Sequence, residues 1–147
     1  MYLRYGMLAE YVGPGEGGTK NVIGIFDMVA GPQFPLRHKR MMLFVRIEGH
    51  LSEAGTHTLA ISFVDADYNR LGGPPEMSLE LQPEGRPVPD APIASEVVLD
   101  IQALEIPAPG DYEFAVLVDG RHIGAVPLYA RERSAPPAAP AQPPVPE

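Results

Sequence analysis

The sequence predicts an all-β fold: an antiparallel Greek-key sandwich of the immunoglobulin or C2-like kind, with about eight strands. Three observations point there. Apolar residues recur at every second position along most of the chain, the period of a half-buried strand. The 147 residues include 18 prolines and 15 glycines, and proline is excluded from helix interiors, so few long helices are possible. Finally, Pro109-Gly110-Asp111-Tyr112 leads into a long alternating run, the form of a tyrosine corner, in which a Tyr hydroxyl ties a strand start back to the chain upstream.

The elements follow in order from the same period. Tyr2 to Tyr11 reads as the first strand. Asn21 to Asp27 is a short second strand, apolar on both faces. Lys39 to Glu48 is the third, with Met41, Leu43, Val45 and Ile47 on one face. His57 to Asp65 directs Leu59, Ile61 and Phe63 inward. Met77, Leu79 and Leu81 mark a fifth strand, and Val97, Leu99 and Ile101 a sixth. In the seventh, Tyr112, Phe114, Val116 and Val118 share a face. Asp119-Gly120 is a strong hairpin signal, and His122 to Tyr129 returns as its partner. The proline-rich stretch 83–92 reads as a connection between sheets.

Residues 1–133 have the length of one domain. Residues 134–147 differ: they hold six prolines and no large hydrophobe besides Val145. This Pro/Ala-rich tail buries too little apolar area to offset ordering, so disorder with a polyproline II bias is expected. Pro137/Pro140 and Pro143/Pro146 have PxxP spacing, but an inert tail or tether is the simpler reading.

With no cysteine in the chain, disulfides, thiolate zinc sites and cysteine nucleophiles are excluded. This fits a reducing cytoplasm, the expected location. The net charge is −8, from 11 basic and 19 acidic residues. That balance argues against nonspecific binding to nucleic acid or anionic lipid. The basic cluster Arg37-His38-Lys39-Arg40 reads as a solvated strand start. No run approaches the ~18 apolar residues of a membrane span, and the N-terminus does not resemble a signal peptide.

Several motifs touch on chemistry. Gly13-Pro14-Gly15-Glu16-Gly17-Gly18 satisfies GxGxxG. The dinucleotide motif needs a following helix, whereas the next residues are strand-like. Asp65-Ala66-Asp67-Tyr68-Asn69 places oxygen ligands at alternate positions, with Glu76 at the twelfth, as in a calcium loop. Arg70 stands where that loop needs glycine, so Asp65, Asp67 and Asn69 read first as turn formers and second as a calcium site. His50 and His57 flank a turn, and two histidines without a third ligand make a surface pair before a zinc site. No nucleophile elbow or catalytic triad order stands out, so no catalytic residue is assigned and enzyme activity is not expected. Met41-Met42-Leu43-Phe44-Val45 is apolar on both faces. Outward Met42 and Phe44 need cover, from the same chain or from a partner, and are the candidate partner-binding residues.

Seven segments carry a resemblance: Leu8-Ala9-Glu10-Tyr11, Asn21-Val22-Ile23-Gly24-Ile25-Phe26-Asp27, Phe34-Pro35, Arg46-Ile47-Glu48-Gly49, His57-Thr58-Leu59, Val64-Asp65-Ala66-Asp67 and Gly110-Asp111-Tyr112-Glu113-Phe114. Over about residues 1–131 the chain resembles a family of small bacterial β-sandwich proteins of unknown function. The resemblance implies one β-sandwich domain and a bacterial cytoplasmic origin, and it carries over no functional residue. The expected function is a non-enzymatic binding or assembly module acting through a sheet face or edge, with a protein partner or a second copy. The alternatives are a calcium-dependent C2-like or carbohydrate-binding-like module and a hydrolase with an unrecognised site.

Overall fold

The computed structural model describes residues 1–83 and 92–134. Among them, ten strands form two sheets. β1 (Tyr2–Pro14), β2 (Lys20–Phe26), β4 (Leu36–Gly49) and β8 (Ile93–Ile106) make a four-stranded sheet in the order β2-β1-β4-β8. β3 (Met28–Gly31), β10 (Arg121–Glu132), β9 (Gly110–Val118), β5 (Gly55–Val64) and β6 (Arg70–Gly72) follow one another in the second sheet. β7 (Met77–Leu81) completes that sheet by pairing with β5.

Two expectations need correction. The strands number ten because β3 and β6 are only 4 and 3 residues long, too short to show a period. The pairing is also not wholly antiparallel, since β3 runs parallel to β10. Asp27 is where the chain leaves β2, at the edge of one sheet, for β3, at the edge of the other; its carbonyl accepts the Tyr129 amide at 2.7 Å. The connection from β7 to β8 does join the two sheets. Residues 84–91 of that connection and 135–147 of the tail lie outside the described residues.

The period of two places the core correctly. Met41, Leu43, Val45 and Ile47 of β4 are fully buried. They face Leu59, Ile61 and Phe63 of β5 and Tyr112, Phe114, Val116 and Val118 of β9 in one continuous cluster. The Asp119-Gly120 turn has φ of 50° and 79°, the left-handed pair that a two-residue hairpin requires. The tyrosine corner is formed: Tyr112 Oη donates to the Ala108 carbonyl at 2.5 Å. Tyr112→Phe removes this one bond and leaves the ring in place. We expect a loss of about 1 kcal/mol, read as a lower urea midpoint with an unchanged slope; an unmoved midpoint would show the corner to be neutral.

Candidate functional site

The β1–β2 hairpin does not stay in the plane of its sheet. Pairing of β1 with β4 ends at Ala9↔Met42, while pairing with β2 continues to Pro14↔Lys20. Beyond Ala9 the freed Val12 amide donates to Met42 Sδ at 3.2 Å. Lys20 of β2 reaches Glu96 of β8 at 3.3 Å, although these strands are at opposite edges of the sheet. Strands lie about 4.8 Å apart, so a flat sheet would hold the two strands about 14 Å apart. The hairpin tip must therefore fold over the outer face of β4 and β8.

This fold-over supplies the cover that Met42 and Phe44 need. Phe44 is 3% exposed and packs with Ala9 and Val12, with Met7, Val22, Met42 and Val98 around them. The Tyr5 ring lies 5.8 Å from the Phe44 ring. Of the two sources of cover open to the sequence, the same chain provides it, and Phe44 is closed off from solvent.

Next to these residues the hairpin keeps apolar side chains open to solvent. Tyr11 is 47% exposed, Ile23 58% and Ile25 65%. Ile23 stands opposite Tyr11, and Ile25 opposite Ala9. Met28, just past the switch between sheets, is also exposed. β2 is the terminal strand of its sheet, so among the described residues one side of its backbone has no strand neighbour. Beside Ile25 a cleft opens between Met7 of β1 and Val126 and Pro127 of β10. Sequence reasoning did not single out Tyr11, Ile23 or Ile25. The available signal was the run Val22–Phe26, apolar on both faces in a strand too short to be central.

Gly24 sits between the two isoleucines with φ of 71°, a conformation that favours glycine. A β-carbon there would stand 2.8 Å from Glu10 Cδ. The missing side chain is what lets the Glu10 carboxylate lie across β2. Glu10 has no ion-pair partner among the described residues, and neither have Glu16 before β2 or Asp27 after it; Lys20, the cation of β2, is paired with Glu96.

The other polar features are internal ties. Glu48 is 7% exposed and is held by the Tyr2 hydroxyl at 2.8 Å and by Arg46 Nε at 3.2 Å. The hydroxyl and then the guanidinium hold its carboxyl below the usual range against the opposing effect of burial. Asp65 accepts the Asp67 amide at 2.9 Å, the Asn69 amide at 2.9 Å and Asn69 Nδ2 at 3.2 Å. These bonds close the turn into β6 and lower the Asp65 pKa, the Asn69 amide contributing most. Asp65 and Asn69 are thus brought together by a side-chain bond, whereas Asp67 joins through its backbone. No three His, Asp or Glu side chains among the described residues group as metal ligands. Glu16–Gly18 forms a single 3-10 turn that leads into β2, so the GxGxxG match has no helix behind it. His57 does not pair with His50: its two ring nitrogens lie 2.6 Å from Asp119 Oδ2 and 2.6 Å from the Glu53 carbonyl.

Fold and surface together define a two-sheet, all-β protein with exposed isoleucines on the terminal strand of one sheet. The chain belongs to DUF6941, a family of unknown function, which matches residues 4–131. No curated protein matches it. Among solved structures it has a likeness to the Pseudomonas fluorescens alkylpurine DNA glycosylase AlkC bound to DNA containing an abasic site analog, at 13% identity and a TM-score of 0.39. The match covers 71% of this chain and 27% of that one, and a likeness of this degree carries no argument about function. No helix of the described residues is long and apolar enough to cross a membrane.

Proposed function

We propose that this protein is a binding module that docks a protein partner on the β2 edge of its four-stranded sheet. The observation that carries the reading is the exposure of Ile23 and Ile25, 58% and 65%, on a terminal strand. Isolated exposed hydrophobes are ordinary. Here they stand together on a strand that has no neighbour on one side among the described residues, with Tyr11 opposite Ile23 on the adjoining strand, the kind of feature that proteins normally shorten, charge or cover. Met42 and Phe44 support the site from beneath and do not form its surface. Covering the exposed part of each isoleucine contributes a share of the about 1.5–3 kcal/mol of a fully buried side chain, to be set against the cost of association.

The test is site-directed photocrosslinking in cells that make the protein. A photoreactive phenylalanine analogue replaces Ile23 on β2 or Leu71, an exposed residue of the other sheet. A discrete crosslinked species is expected from position 23 and not from 71. Ile23→Ser with Ile25→Ser should remove it when the probe is carried at Tyr11. Both are surface changes, so stability should move by about 0.5 kcal/mol or less. Equal crosslinking from positions 23 and 71 would overturn the reading.

A further inference from the structure

We infer that the occupant of this edge is an extended segment of a partner in which apolar residues alternate with lysine or arginine, added to the sheet as a strand beside β2. The inference rests on the docking surface proposed above and specifies what fits it. A strand laid along β2 takes main-chain hydrogen bonds from the edge that has no neighbour among the described residues and selects side chains through its cross-strand neighbours. Those neighbours come in a fixed order. Ile23 is apolar and exposed, position 24 presents the Glu10 carboxylate lying across a glycine, and Ile25 is apolar and exposed. A complementary segment therefore reads apolar, basic, apolar. The same sign of charge holds at the ends, where Glu16 precedes β2 and Asp27 follows it.

Charge also argues against a second copy as the occupant. Pairing β2 with β2 of another molecule brings two Glu10 carboxylates to one seam. The one cation within β2, Lys20, is already tied to Glu96. The chains would meet with a net charge of −8 each, and like charges directly opposed across a strand pair are destabilising.

The test uses fluorescein-labelled decapeptides titrated into the full chain and followed by anisotropy at moderate salt. The probe alternates valine and lysine. One control replaces lysine with glutamate. A second is the lysine peptide N-methylated at two adjacent central residues, which strips donors from both edges. The lysine peptide should bind, and both controls should bind at least about tenfold more weakly. Glu10→Gln should narrow the gap between the lysine and glutamate peptides. Ile23→Ser with Ile25→Ser should abolish binding of either. Binding that survives N-methylation or the isoleucine changes is nonspecific cation uptake by an acidic protein and overturns the inference, as does no binding. A concentration-dependent dimer broken by the isoleucine changes also overturns it, with a second copy as occupant and the docking surface intact. Failure of the position-23 crosslink would instead remove the surface itself.

Discussion

Phe63→Ala should destabilise the fold by about 3–5 kcal/mol, the largest loss expected from a single side chain here. Phe63 is 1% exposed and belongs to β5, the strand to which β6, β7 and β9 all pair. Its ring stacks on Tyr112 at 5.3 Å with an interplanar angle of 18°, and meets Phe114 at 5.0 Å. Truncation removes the ring's transfer free energy and leaves a cavity that Tyr112 cannot fill without breaking its bond to Ala108. The two sheets are closed on each other at this point, so collapse around the cavity is limited. At about 3 °C per kcal/mol for a chain of this length, the melting temperature should fall by about 10 °C. Leu71→Ala is the matched control, because Leu71 is 41% exposed and leaves no cavity. A fall of only a degree or two for Phe63→Ala would mean that the aromatic cluster repacks freely.

What the sequence could and could not reveal follows from the range of each interaction. Alternation along β4, β5 and β9 is a local pattern imposed by one buried face, so it could be read directly, down to Met41, Leu43, Val45 and Ile47. The hairpin at Asp119-Gly120 and the Tyr112 corner are local too, their partners lying within a few residues. β3 and β6 escaped because so short a strand shows no period and exists through pairing with β10 and β5. The fold-over of the β1–β2 hairpin was illegible for a similar reason. It depends on Val12 meeting Met42 and Lys20 meeting Glu96, contacts between residues 30 or more positions apart. That Met42 and Phe44 need cover is a local pattern, but that Val12 and Val22 provide it depends on contacts distant in sequence. Once those residues turn inward, Tyr11, Ile23 and Ile25 are left outside, and the candidate surface shifts from β4 across to β1 and β2.

His57 should make stability depend on pH around neutrality, in a direction fixed by its hydrogen bonds. Asp119 Oδ2 and the Glu53 carbonyl can only accept, and each lies 2.6 Å from a ring nitrogen. A neutral imidazole has one N–H and satisfies one of them, whereas the imidazolium satisfies both. The Asp119 bond above all, then the Glu53 carbonyl, raises the His57 pKa above 6.5. Because the folded value lies above the unfolded one, this stabilisation is complete below about pH 6.5 and is lost as pH rises through the folded pKa. Asp119 sets the acid side. Its pKa is lowered, first by the Thr58 amide and then by His57, so its share is present above about pH 4 and is lost as pH falls through the folded value. The clamp is therefore strongest between those limits. It matters to the fold because Asp119 sits in the β9–β10 turn and also binds the Thr58 amide and carbonyl, tying that hairpin to the start of β5. His57→Gln should cost about 1–1.5 kcal/mol at pH 6, near the lower end for charged bonds because the Asp119 carboxylate stands half in solvent. Urea melts of both proteins from pH 5.5 to 9 provide the check. The wild-type advantage should shrink as pH rises, while the His57→Gln protein stays nearly flat over that range. A gap that stays constant with pH would mean that His57 is neutral in the fold and holds one bond rather than two.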